Sequence, residues 1–95
     1  MNETEFKAGE LYKIIDVGKG SIAYHPNKDD YIGKIVKLAY FFGKWKSGYV
    51  GCNIVFQQDF TLIDKKTEKE IHRKKGWWAS FHEVKLEKVQ IFILY

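Results

Sequence analysis

A strict alternation between residues 49 and 56 constrains the fold more than any other feature of the sequence. Apolar side chains occupy the even positions of this segment, and the odd positions hold a mixture of residue types. Because successive side chains of a strand point to opposite faces of a sheet, a period of two predicts a strand with one buried face. We expect the even positions to lie in a core: Val50, Cys52, Ile54 and Phe56.

Two segments before this alternation also have the composition of strands. Residues 10–17 (ELYKIIDV) and 31–42 (YIGKIVKLAYFF) are rich in β-branched and aromatic residues. Residues 18–30 between them hold two glycines and the only proline, which is typical of a long loop, and residues 43–48 predict a turn. Within residues 31–42, apolar side chains occupy the even positions, which point to one face of a strand. Lys34 interrupts this pattern, so we expect part of the strand to lie at an exposed edge. The apolar residues at these positions are Ile32, Val36, Leu38, Tyr40 and Phe42.

Residues 60–72 have features of both a helix and a hairpin. A capping box that begins at Thr67 favours a helix. Such a helix would bury only Ile71, however, and a short helix without an apolar stripe is unstable in water. We therefore predict a hairpin in which residues 61–64 and 70–72 pair across a lysine-rich turn.

The C-terminal segment opens with adjacent tryptophans, Trp77 and Trp78. On a strand these two side chains point to opposite faces, so we expect one in the core and the other outside. A tight 3₁₀ turn is predicted through residues 80–83, followed by a final strand. The apolar end, Ile91 to Tyr95, would aggregate as an exposed strand, so we expect it to be paired or to form a homodimer contact.

Length and composition predict one folded domain. The chain has 95 residues, of which 45% are hydrophobic and 17% aromatic, enough for one core and too few for two. We expect residues 1–9 to be a polar lead-in and residues 10–95 to form the domain. The sequence has neither an apolar run long enough to span a membrane nor a signal-peptide pattern, so a cytoplasmic protein is expected. The single cysteine, Cys52, and three scattered histidines predict no disulfide, no metal site and no cofactor.

Four stretches of the sequence carry a family resemblance: FKAGELYKII, YIGKIVKL, GYVGCNIVF and WWASFHEVKLEKV. Over residues 6–89 the chain resembles the small SH3-like barrels of the KOW and mind-bomb type, which are common among small bacteriophage proteins. The resemblance implies an all-β fold, a small SH3-like barrel of about five to seven antiparallel strands with one short 3₁₀ turn. It also implies binding of nucleic acid or protein rather than catalysis, in the host cytoplasm if the protein is viral.

The positive charge is concentrated in the last third of the chain. Residues 1–64 carry eight lysines and eight acidic residues, whereas residues 65–95 carry eight Lys/Arg and four Glu. Proteins that hold nucleic acid combine cations for phosphates with aromatic faces for bases. We therefore predict binding of a nucleic acid or nucleotide-like anion by a set of basic and aromatic residues. The set is Lys44, Trp45, Lys46, Lys66, Arg73, Lys74, Lys75 and Trp78.

Two other functions compete with this interpretation. An aromatic-rich surface also suits a viral inhibitor that binds and blocks a host protein, because Tyr, Trp and Arg are enriched at interaction hot spots. An enzyme would need a catalytic group, and Ser80, His82 and Glu83 are the nearest candidates. Alternate positions on a strand do not by themselves set a nucleophile against a base, so we predict neither catalytic residues nor an enzyme.

Overall fold

The computed structural model describes residues 6–18, 28–64 and 66–89, except for the side chains of Lys28 and Lys46. These residues form an all-β fold of antiparallel strands, which confirms the predicted fold class. The strands are β1 (Leu11–Val17), β2 (Ile35–Lys44), β3 (Val50–Phe56), β4 (Phe60–Ile63), β5 (Glu70–Arg73) and β6 (Trp78–Lys88). Short 3₁₀ turns cover Lys28–Asp30 and Lys46–Gly48.

Four of the strands form a closed barrel in the order β1-β2-β3-β6. The long last strand closes it because β6 has a different neighbour along each half. Its first half pairs with β3, where Trp78 lies opposite Val55, and its second half pairs with β1, where Lys88 lies opposite Tyr12. Closure satisfies the backbone hydrogen bonds that an open sheet would leave at its edges.

The barrel core contains the alternating side chains of β3, as predicted. Cys52, Ile54 and Phe56 are fully buried and Val50 is 2% exposed. Side chains of β1, β2 and β6 complete the cluster, and burial of each large apolar side chain contributes about 1.5–3 kcal/mol to folding. The other members from these strands are Tyr12, Ile14, Val17, Val36, Leu38, Phe81, Val84 and Leu86.

The phase predicted for residues 31–42 holds only in the first half of β2. Val36 and Leu38 are buried, but Tyr40 and Phe42 are exposed. The pairing of β2 with β3 shifts register after Leu38 and again after Phe41. An extra residue in one strand of an antiparallel pair reverses the face to which the following side chains point. The bulge after Leu38 therefore turns Tyr40 and Phe42 outward.

The hairpin predicted for residues 60–72 is confirmed and the helical alternative is wrong. β4 and β5 form a two-stranded sheet with Leu62 opposite Ile71. Leu62 is fully buried. The Asp30 carboxylate accepts the backbone N–H of Ile63 at 3.0 Å and so ties the hairpin to the 3₁₀ turn before β2.

The tight 3₁₀ turn predicted through residues 80–83 is wrong, because β6 runs through them as a strand. In its pairing with β3, Phe81 lies opposite Cys52 and Val84 lies opposite Val50. Three steps along β6 thus match two along β3, which defines a bulge on β6. The residues predicted to form the turn lie just before the point at which β6 changes its pairing partner from β3 to β1. The apolar segment from Ile91 to Tyr95 lies outside the described residues, so the predicted homodimer contact stays a prediction.

The last residues of the predicted polar lead-in are packed against the barrel. The Phe6 ring stacks on Phe41 with centroids 5.4 Å apart and lies 5.5 Å from the Tyr12 ring. The Gly9 N–H donates to the Leu38 carbonyl at 2.7 Å. In the described part of the chain, no helix has the length and apolar character needed to cross a membrane.

Gly76 gives a direct test of the connection between β5 and β6. The Trp77 N–H donates to the Lys74 carbonyl at 3.0 Å, and Gly76 takes φ +96° at the third position of this turn. Because an L-residue is strained there, Gly76→Ala is expected to lower the free energy of unfolding by about 1–2 kcal/mol in urea titrations.

Gly43→Ala is the matched control for this prediction. Gly43 has an ordinary φ, and no described atom lies within 4 Å of the position that a Cβ would take. Its replacement should leave stability unchanged or raise it by up to about 1 kcal/mol. Equal losses in both variants would contradict the turn geometry.

Candidate nucleic-acid interface

Four large aromatic side chains lie exposed on the outer side of β2, β3 and β6. Soluble domains seldom expose a contiguous apolar patch that has no function. We call this surface the aromatic face, and it carries Tyr40 (60% exposed), Phe42 (50%), Trp45 (56%) and Trp78 (55%).

The strand register sets the spacing of these rings. Tyr40 lies opposite Asn53 on β3, and Asn53 lies opposite Ser80 on β6. The Ser80 hydroxyl donates a hydrogen bond to the Asn53 side chain. Tyr40, Asn53 and Ser80 therefore form one row across the middle of the aromatic face. Asn53 and Ser80 make part of this row polar.

Trp45 lies directly on the backbone of β3. Its indole Nε1 is 3.1 Å from the position that a Cβ on Gly51 would take, and the Phe42 ring is 3.5 Å from the same position. Any larger residue at Gly51 would push the indole outward. Glycine at this position thus allows Trp45 to lie flat against the sheet.

Trp78 marks the opposite end of the aromatic face. It lies across from Val55, whereas Trp45 contacts the position of Gly51. Four residues along β3 correspond to about 13 Å. The Phe42 ring shares the Gly51 end with Trp45, and the Tyr40 ring, 5.3 Å from that of Phe42, lies opposite Asn53 between the two ends. The arrangement is a row of aromatic surfaces rather than a closed pocket.

The segments that form the aromatic face are basic, and the nearest described carboxylates at its Trp45 end are those of Asp16 and Glu83 beside Tyr49. Residues 31–58 contain four lysines and no acidic residue, and residues 71–82 contain three Lys/Arg and no acidic residue. The first range includes β2 and β3, and the second includes the part of β6 that belongs to this face. Lys37 is exposed opposite Val55, and Lys44 is exposed at the end of β2. A surface of this charge attracts polyanions.

The predicted site residues fall into two groups in the structure. Lys44, Trp45 and Trp78 belong to the aromatic face, and the exposed turn residues Lys74 and Lys75 lead directly into Trp78. Lys66 is exposed at the tip of the β4–β5 hairpin, and Arg73 lies on β5. Lys46 belongs to a 3₁₀ turn, and its side chain is not described.

The two adjacent tryptophans point to opposite faces, as predicted. Trp78 is exposed, whereas Trp77 packs on Phe56 with ring centroids 5.2 Å apart. The Arg73 guanidinium covers the other side of Trp77, with Cζ 4.8 Å from the ring centroid. Arg73 is thereby held at the edge of the core and does not reach the aromatic face.

Sequence reasoning missed Tyr40, Phe42 and Lys37 as members of the surface. The bulge after Leu38 exposes the two rings, and a bulge has no reliable sequence signature. One signal was present, however. The longest interval without an acidic residue runs from Asp30 to Asp59 and covers β2 and β3.

The candidates for catalysis and metal binding are not arranged as a reactive centre. The Ser80 hydroxyl is hydrogen-bonded to Asn53 instead of His82. Within residues 6–18, 28–64 and 66–89, no three His, Cys, Asp or Glu side chains are grouped so that they could hold a metal ion.

Cys52 is buried in the core, and this burial raises the pKa of its thiol to about 12 from a usual 9.0. Above pH 9 the unfolded chain would release this proton while the folded chain keeps it, so stability falls as pH rises. We expect Cys52 to account for a loss of about 1 kcal/mol between pH 8 and pH 10 in urea titrations. Cys52→Ala should show a correspondingly shallower pH dependence, and an identical slope would contradict the assignment.

Comparisons with protein-family models, curated proteins and solved structures gave no significant match.

Proposed function

We propose that this chain is a non-enzymatic module that binds single-stranded nucleic acid on its aromatic face. The observation that carries the proposal is a row of four exposed aromatic side chains on segments that contain lysines and no acidic residue. We also propose that the protein is cytoplasmic and that it is related to the small SH3-like barrels of bacteriophage proteins.

The exposed rings supply binding energy through base stacking. Each base stacked on an aromatic side chain contributes roughly 1–3 kcal/mol, with little dependence on base identity. The β3 residues beside Trp45 and Trp78, Gly51 and Val55, are about 13 Å apart, so both rings can contact one short nucleic-acid strand. Bases in a duplex are already stacked on each other, and stacking on a protein surface therefore favours unpaired nucleotides.

The flanking lysines supply the contacts to phosphates. Lys37 and Lys44 are exposed on β2, and Lys75 is exposed in the turn that precedes Trp77 and Trp78. Contacts of this kind release counterions from the nucleic acid, so affinity falls as salt concentration rises.

A host protein is the second candidate ligand, because Trp and Tyr also dominate the hot spots of protein interfaces. The charge pattern favours nucleic acid over this alternative. A protein partner would need an acidic surface to match the lysines, whereas any polynucleotide provides one.

Tryptophan fluorescence tests the proposal. The chain would be titrated with a single strand of about 12 nucleotides, and with the matching duplex, at about 50 mM and about 200 mM salt. We expect saturable quenching by the single strand, weaker binding at the higher salt and weaker binding of the duplex. The absence of any response at low salt would overturn the proposal and make isolation of a protein partner from host lysate the next experiment.

A further inference from the structure

A second basic feature lies outside the aromatic face, at the open end of the β4–β5 hairpin. A cavity of about 310 Å³ opens there between the end of β5 and the start of β4. Its lining residues are Asp59, Phe60, Thr61, His72, Arg73 and Lys74.

Among the described residues, Arg73 is positioned at this cavity by packing and not by an ion pair. Its guanidinium lies over the Trp77 ring at 4.8 Å, and Trp77 is itself stacked on the core ring of Phe56. The Arg73 Nε is buried, and no acceptor among the described residues hydrogen-bonds to it. Nε is enclosed by the protein and does not itself meet a ligand, but Arg73 is partly exposed and lines the cavity, where its charge attracts anions.

Other hydrogen-bond donors border the same cavity. The Thr61 hydroxyl and His72 Nδ1 are 3.1 Å apart and lie directly opposite each other across the hairpin. Lys74 adds an exposed ammonium group. The single carboxylate, Asp59, already accepts the backbone N–H of Lys75 at 2.7 Å through one oxygen. The cavity lining therefore has two basic side chains, Arg73 and Lys74, and one carboxylate, while the Glu70 carboxylate lies 3.7 Å from His72 Nε2.

We propose that this cavity binds a phosphate monoester. The Arg73 guanidinium offers parallel N–H donors that match the oxygens of a phosphate. The Thr61 hydroxyl and the Lys74 ammonium also line the cavity, and several separate polar groups suit a phosphate, which has more acceptor oxygens than a carboxylate. The phosphate source is either free inorganic phosphate or the phosphate of a nucleotide, and both have the same recognising chemistry.

Calorimetric titration of the full chain with inorganic phosphate, thymidine 5′-monophosphate and thymidine tests this proposal. Phosphate and the monophosphate are expected to bind and thymidine is not. Similar affinities for the two would identify the phosphate group as the whole ligand, whereas tighter binding of the monophosphate would identify a nucleotide site. Failure of both to bind, or equal binding of thymidine, would overturn the proposal.

Three substitutions sharpen the test. Arg73→Lys keeps the charge but loses the fork of donors, and should weaken phosphate binding roughly tenfold. Asp59→Asn keeps an acceptor for the Lys75 N–H and removes the opposing charge, so it should tighten binding several-fold. Lys66→Ala, on the same hairpin but outside the cavity lining, is the control for net charge and should change affinity less than about twofold.

Loss of packing in Arg73→Lys is separated from loss of binding by a second variant. Thr61→Val preserves shape and strand propensity, and should weaken phosphate binding while the urea midpoint stays unchanged. Unaltered affinity in both Arg73→Lys and Thr61→Val would overturn the site. Because the cavity does not include Trp45 or Trp78, their replacement should leave phosphate binding intact, and each proposal can fail without the other.

Discussion

Alanine at both Trp45 and Trp78 is expected to weaken the binding of single-stranded DNA at least about 30-fold. Each indole contributes roughly 1–3 kcal/mol through base stacking, and about 1.4 kcal/mol corresponds to tenfold in affinity. The β3 residues beside the two rings, Gly51 and Val55, are about 13 Å apart along the strand, so the effects of the two rings should add. Fluorescence anisotropy of a labelled strand measures this loss, since Trp77 alone would remain as an intrinsic probe.

The control for this experiment removes exposed apolar surface elsewhere. Ile15 on β1 and Ile32 in the turn before β2 are each 37% exposed and lie outside the aromatic face. The double replacement Ile15→Ala and Ile32→Ala should change DNA affinity less than about twofold, because neither side chain can stack on a base. A comparable loss in the control and in the tryptophan variant would contradict the assignment of the binding surface.

Phe56→Ala is expected to lower the free energy of unfolding by about 3–5 kcal/mol. Phe56 is fully buried and joins the barrel to the hairpin. Its ring stacks on Phe60 with centroids 4.4 Å apart, and it also contacts Trp77 and Tyr31. A cavity here would remove contacts on three sides, and a domain of this size has only about 5–15 kcal/mol of total stability.

Phe42→Ala is the matched control for this change of stability. Its ring is 50% exposed on the aromatic face, so its loss should cost less than about 1 kcal/mol. Urea unfolding curves compare the two variants directly. A larger loss in Phe42→Ala than in Phe56→Ala would contradict the observed exposure of β2.

Periodicity was sufficient to predict the parts of the fold in which each strand keeps one phase. The even-numbered residues of β3 lie in the core, as their alternation predicted. The β4–β5 segment is a hairpin, as predicted from the instability of a short helix without an apolar stripe. The opposite orientation of Trp77 and Trp78 also follows from strand geometry alone. The core face of β3 and the tryptophan orientation follow from the alternation of side chains along a single strand, which does not depend on how that strand pairs with its neighbours.

Bulges account for what the sequence did not reveal. In β2 the bulge after Leu38 exposes Tyr40 and Phe42, and in β6 a bulge replaces the predicted 3₁₀ turn at residues 80–83. A bulge depends on how two distant strands align, so the sequence of one strand does not specify it. The same limit applies to Arg73, whose basic character was evident but whose packing on Trp77 depends on the tertiary fold.

The pairing of Tyr12 with Lys88 has a consequence for how the protein is made. The barrel joins a strand near the start of the chain to one near its end. During translation β1 therefore has no complete β6 partner until residue 88 has left the ribosome, and the barrel cannot close before that point. Such distant contacts slow folding to milliseconds or seconds. Until the barrel closes, the unpaired apolar strands can bind chaperones or aggregate with other copies of the chain.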